Sequence, residues 1–287
     1  MTRLQRFGAA ALVASLALIG LPASPAPAAG VPKKPSGRVV FADDFDHEPP
    51  WGGAPPWSTT DWLVQQWDLP PSYPTLVRTP GPRKGWSMSA RSAPNQPNPY
   101  RTELSPESKT FHNRFRDDRA YVIEFDTYVK RYDRDNAPSW MTVMQFHGTP
   151  HRKPNGQIAW ECVSGRNPVS LTLARGRYGV NINNHPARQA PAGALADHDV
   201  WKQRLTLRTW VHWKIRLVPS QTRTGLVKVW KDGRLVAARH GRNKDRNDQC
   251  GKPDTPIVFF KLGTYKEFEN TGTQVVLFDN VRISRVR

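Results

Sequence analysis

The chain has 287 residues, and its 42 Lys and Arg against 24 Asp and Glu leave a formal net charge of +18. Such a field attracts polyanions, although basic secreted proteins also carry it without an anionic partner. With no dense Lys/Arg tract and no nucleic-acid module, DNA and RNA are not expected as partners; no His/Cys spacing suggests zinc and no glycine-rich loop suggests a nucleotide.

In chain order, residues 1–29 read as a secretory signal peptide. Arg3 and Arg6 precede an apolar run from Ala9 to Leu21, and small residues follow at Ala26-Pro27-Ala28. The run is too short to span a bilayer comfortably, and no second stretch of about 20 apolar residues follows it, so no membrane anchor is expected. Residues 30–37 form a Pro-rich leader, expected to be disordered, and residues 38–287 one large all-β domain, secreted and extracellular. A monomer is expected. Cys162 and Cys250 are the only cysteines, and in an oxidising compartment they are expected to pair rather than react.

Within the domain, apolar alternation recurs with turn residues between the runs, and sustained helical periodicity is hard to find. Strands are predicted at 38–45, 86–90, 100–104, 120–130, 140–147, 169–174, 178–183, 211–218, 226–230, 235–239, 257–262 and 274–283. Their number suits a sandwich of two antiparallel sheets, whose bent outer face can form a groove. Asp232-Gly233 supplies the positive φ angles of a tight hairpin. The Pro/Trp-rich segment from Pro49 to Pro82 reads as a surface excursion, in which Trp51, Trp57, Trp62 and Trp67 either plug the sheet edge or stack on sugar rings.

Three short stretches carry the chemistry: Arg101-Thr102-Glu103-Leu104, Gln145-Phe146-His147-Gly148 and Lys261-Leu262-Gly263-Thr264-Tyr265. Side chains alternate faces along a strand, so Arg101 points with Glu103, Gln145 with His147 and Lys261 with Tyr265, while Leu104, Phe146 and Leu262 face a core. If the three strands share a sheet, one surface collects a guanidinium, an ammonium, an amide, an imidazole and a phenol. That set can bind a carboxylate and move a proton beside it.

In order and spacing these stretches resemble the signature regions of jelly-roll polysaccharide lyases, the glucuronan-lyase and heparin-lyase-like families related to alginate lyases. The resemblance implies a concanavalin-like jelly roll and an endo-acting lyase that cleaves a 4-linked acidic polysaccharide by β-elimination, glucuronan ahead of alginate or heparin-like chains. It places Arg101 and Gln145, with His147, against the substrate carboxylate. Tyr265 is then the acid, and either Tyr265 or His147 is the base. Lys261 and Arg101 would lower the Tyr265 pKa, and Glu103 would orient Arg101. Asn181, Asn183 and Arg177 share a strand face and are candidate subsite donors, with Trp160, Arg166 and Arg175 as additions to the groove. No cofactor is expected for the chemistry. A structural calcium is an expectation at Asp44 and Asp279, since Asp43-Asp44-Phe45 and Phe278-Asp279-Asn280 resemble terminal strands that hold one in many carbohydrate-active sandwiches. Two rivals remain at this stage: a non-catalytic carbohydrate-binding module, and a glycoside hydrolase, because Glu124-Phe125-Asp126-Thr127-Tyr128 faintly resembles a laminarinase-type strand. Hydrolysis needs a second glutamate, and Val129 stands where it is expected.

Overall fold

The computed structural model describes residues 37–46, 62–64, 74–94, 101–163, 167–182, 199–267 and 271–286. The signal peptide and nearly all of the leader therefore lie outside the described residues, as do Trp51, Trp57, Trp67, Arg166 and Asn183. Alternation resolves into strands β1 (Gly37–Asp43), β2 (Trp62–Val64), β3 (Thr75–Arg78), β4 (Trp86–Ser92), β5 (Arg101–Pro106), β6 (Phe115–Arg116), β7 (Tyr121–Tyr132) and β8 (Met141–Gly148). After a single 3-10 turn at Trp160–Cys162 come β9 (Val169–Ala174), β10 (Arg177–Ile182), β11 (Asp199–Arg204), β12 (Trp210–Val218), β13 (Leu226–Lys231), β14 (Arg234–His240), β15 (Ile257–Lys266) and β16 (Gln274–Val286).

The strands form two antiparallel sheets. One runs β14-β13-β12-β7-β16-β4-β3 with β1 beside β16; the other runs β11-β10-β9-β8-β15-β5-β2 with β6 beside β15. Strands β5, β15 and β8, which carry the three motifs, are thus adjacent. Their inward residues Leu104, Phe146 and Leu262 are fully buried. Between the sheets Phe146 packs on Phe260 and edge-on to Phe115, and Phe260 meets Phe125 of the facing sheet. Each such buried ring contributes about 1.5–3 kcal/mol. This core fixes which face of the second sheet looks outward.

Trp62 decides the question posed by the Pro/Trp-rich segment for the one tryptophan of its four that is described. It is fully buried, stacks on Phe45 at 5.4 Å and meets Phe41 edge-on at 5.2 Å, and its indole N–H donates to Asp43. It plugs the sheet.

Glycine is obligatory at position 263. Its φ is +145°, and a Cβ there would lie 2.0 Å from the Thr102 carbonyl oxygen and 2.6 Å from Glu103 Cα. The register of β15 against β8 slips between Leu262 and Tyr265, a bulge that re-aims the residues following it. Gly263→Ala is expected to destabilise the protein by about 2–4 kcal/mol through backbone strain and a clash with β5, which a thermal unfolding midpoint would register.

Candidate active site

The pairing brings the motif residues together on the outer face of the second sheet. Tyr265 lies opposite Arg101, Gly263 opposite Glu103, Lys261 opposite Gln145 and Phe259 opposite His147. At the centre is Glu103, only 2% exposed. Arg101 Nε donates to its Oε2 at 2.7 Å, Lys261 Nζ stands 3.6 Å from the same oxygen, and Gln145 Nε2 donates to Oε1. Burial pushes the Glu103 pKa up, but the charges of Lys261 and Arg101 and the Gln145 amide outweigh it, so the net shift is downward and the carboxylate stays ionised. Glu103 therefore does more than orient Arg101. It anchors three groups at once.

Lys261 is buried to 4% exposure. Burial lowers its pKa, opposed by Glu103. Two cations against one carboxylate leave the cluster one positive charge in excess, the amount a single uronate carboxylate neutralises. Unpaired buried charge is expensive, so this excess is a standing preference for an anion.

His147 sits at one end of the constellation, its ring centroid 5.0 Å from that of Phe259 and its Nδ1 2.8 Å from the Gly148 carbonyl oxygen. A carbonyl only accepts, so Nδ1 carries the proton and the lone pair of the neutral ring is on Nε2. Burial and the Lys261 charge hold its pKa at about 4, against the pull of Gly148 and Glu103. At neutral pH the imidazole is uncharged and able to accept a proton. If it is the base, kcat/KM should show an acid limb near pH 4, activity falling as pH drops and Nε2 is protonated; a pH profile in which that limb vanishes in His147→Gln checks this.

Tyr265 occupies the other end. The Arg101 guanidinium carbon lies 5.0 Å from its ring centroid, and Trp140 meets it edge-on at 5.1 Å. Its register partner on β8 is Thr142, five residues from His147, or about 17 Å of extended strand.

Beyond Tyr265 the same face continues through the aligned pairs Thr142–Thr172, Thr172–Gly179 and Gly179–Lys202 to a cavity of about 330 Å³. Trp140, Arg175, Arg177, Asn181 and Lys202 line it. Arg177 and Asn181 thus take the outward positions expected of them, with Tyr178, Val180 and Ile182 buried behind. The Asn181 side-chain oxygen is buried without a hydrogen-bond partner among the described residues. Trp160 is 45% exposed and stands edge-on to Phe259, near His147. Asn167 escapes sequence reasoning: its Nδ2 donates to Gln145 Oε1 at 2.8 Å, fixing the amide from the side opposite Glu103. No spacing announces it, because the contact forms only when the segment before β9 folds over β8.

Cys162 and Cys250 form the disulfide, with a Cα–Cα distance of 5.2 Å, across 88 residues. Closing so long a loop stabilises by about 2–4 kcal/mol, and it ties the turn bearing Trp160 to the segment before β15. His151, Cys162 and Asp248 bring ligand-type atoms together, but this sulfur is consumed by the disulfide. Asp44 and Asp279 belong to no such group of three among the described residues. Asp44 is exposed and accepts the Asp46 N–H at 3.1 Å, while Asp279 is buried 3.9 Å from Arg83.

The hydrolase alternative fails on position. Glu124 and Asp126 lie on β7, in the other sheet, where Asp126 accepts from Arg83, His212 and Asn280 at 2.7–2.8 Å.

Two antiparallel sheets thus carry, on one outer face, a cationic cluster with an imidazole and a phenol beside it. A family model for polysaccharide lyases matches residues 69–282, and the chain belongs to that family. Its fold is shared with the endo-β-1,4-glucuronan lyase of the fungus Trichoderma reesei, at a TM-score of 0.52 and 13% identity over 86% of this chain and 95% of that one. An alginate-lyase Aly36B variant in complex with an alginate tetrasaccharide gives 0.51 and 12% over 88% and 98%. The cellulose-induced protein Cip1 gives 0.50 and 12% over 85% and 96%. No curated protein sequence matches. At these identities the likeness shows the fold. The protein is a polysaccharide lyase by its family.

Proposed function

We propose that this protein is secreted and cleaves a 4-linked polyuronate by β-elimination, with glucuronan as the favoured substrate ahead of alginate and heparin-like chains. The observation that carries the reading is the cluster around Glu103, one positive charge in excess and flanked by a neutral imidazole and a phenol. The hydrogen on C5 of a uronate is hardly acidic while its carboxylate bears full charge. Arg101, Gln145 and Lys261 neutralise that carboxylate, so electron density can move into it as the C5 proton leaves, which is the oxyanion-stabilising role. His147 Nε2 takes the proton when it lies on the side opposite the leaving oxygen; Tyr265 takes it when the two lie on one side. The C4–O4 bond breaks, Tyr265 protonates the departing O4, and the new end carries a 4,5 double bond conjugated to the carboxylate.

The preference for glucuronan rests on Gln145-Phe146-His147-Gly148 and the Lys-x-Gly-x-Tyr stretch. The disulfide is compatible with secretion. The test is incubation with purified polyglucuronate, alginate and heparin while following absorbance at the ultraviolet edge. A lyase generates a conjugated, absorbing product, fastest from polyglucuronate on this reading. A binding module generates none from any of the three.

A further inference from the structure

A second cavity, of about 420 Å³, opens on the far side of the β9–β10 turn from the first and shares Arg175 with it. Arg134 from the β7–β8 connection, Arg175 from the turn and Arg204 from the end of β11 line it with Tyr132, Ala137 and Leu205. No acidic side chain of the described residues is in that lining. Asp133 and Asp135 flank Arg134 in sequence, but Asp133 turns its carboxylate to the Asn136 N–H. None of the three arginines forms a salt bridge among the described residues, and all are exposed. Like charges gathered from three separate segments without a counter-charge repel one another unless an anion joins them.

The backbone adds a second, independent observation. Ala174 pairs with Arg177, so Arg175-Gly176 is a two-residue hairpin loop, with φ of +48° and +72°. Asn, Asp or Gly is the inexpensive choice at the first position; an arginine there accepts left-handed strain. The loop is also held in place. Arg175 N–H donates to Pro138 O, Gly176 N–H to the Tyr132 hydroxyl and Leu205 N–H to Gly176 O, at 3.2, 3.1 and 2.9 Å. The guanidinium is thereby mounted between the two cavities.

We propose that this arginine cavity is a second binding site for acidic polysaccharide, which holds the part of the chain that has passed the catalytic strands and the first cavity. The inference rests on the polyuronate reading above, since it assigns the same class of ligand. It makes affinity depend on chain length and salt, whereas chemistry depends only on the groove.

The test uses the full protein, with binding of polyglucuronate measured by calorimetry across a salt series and turnover measured on polymer and on short oligomers. In Arg134→Gln/Arg204→Gln, polymer affinity at low salt should fall about ten-fold, the loss expected for two exposed charge pairs, and its salt dependence should become shallower. Short-oligomer turnover should not move. Arg175→Asn should also weaken polymer binding while its unfolding midpoint stays level or rises, separating a ligand role from a structural one. Unchanged polymer affinity and salt slope in both variants would overturn the proposal, as would a wild type that does not bind polyglucuronate. A wild type that binds the polymer but releases no unsaturated product would sink the substrate reading alone, and the variants would still report on the site.

Discussion

Replacing Tyr265 by Phe is expected to lower kcat on polyuronate by about 10³-fold or more while leaving substrate affinity within about two-fold. The substitution deletes one hydroxyl and nothing else. The ring that meets Trp140 edge-on and lies beside the Arg101 guanidinium remains, so the surface that positions substrate is unaltered. A proton donor acting in the transition state contributes about 10²–10⁴-fold. One that also serves as the base removes two transfers when it is lost. Loss of kcat with KM unchanged is the signature of a group that acts only in the transition state. A Tyr265→Phe protein with near-normal kcat would remove the assigned acid.

The second large effect is expected at Glu103. Glu103→Gln leaves Lys261 buried without the carboxylate that faces it and takes the anchor from Arg101 and Gln145. Breaking a buried ion pair by removing one partner costs about 3–5 kcal/mol, which in a domain of this size lowers the unfolding midpoint by roughly 10 °C. Activity should fall by more than about 10²-fold, because the carboxylate-binding groups lose their fixed geometry. A folding defect alone could produce that loss. The double variant Glu103→Gln/Lys261→Met separates the two causes: it removes the orphaned charge and should recover most of the stability, yet remain inactive. Recovery of activity together with stability would show that Glu103 serves the fold and not the site.

How much of this was legible in the sequence depended on strand length and partner. Long half-buried strands such as β12, where Val211, Trp213, Ile215 and Leu217 alternate with polar residues, declare themselves through period 2. Strands of two to four residues, β2, β3 and β6, are too short to alternate, and β11 (Asp-Val-Trp-Lys-Gln-Arg) has no apolar rhythm to read. The motif residues could be assigned to a common face because parity is a local property. What parity cannot give is which strands neighbour which. The convergence of Arg101, Lys261 and Gln145 on Glu103 follows from the order β8-β15-β5, so the sequence suggested one partner for Glu103 where the fold supplies three. Strand β7 shows the converse: its Glu124 and Asp126 were plain as a strand, but only the topology places them in the sheet away from the site. The bulge was signalled only by Gly263, whose need for a positive φ and a bare Cα becomes evident once β5 lies against it.

Elimination at this site requires a uronate carboxylate to enter the cluster of Arg101, Lys261 and Gln145 so that the neighbouring C5 hydrogen faces a proton acceptor. A crystal structure of the Tyr265→Phe protein with a uronate oligomer measures this directly. The expected result is an oligomer lying across β5, β15 and β8, with one carboxylate within hydrogen-bonding distance of Arg101 or Gln145 and the C5 hydrogen of that sugar directed at His147 Nε2 or at the position of the missing hydroxyl. An oligomer bound on the other sheet, or on this face with its carboxylates turned to solvent, would contradict it.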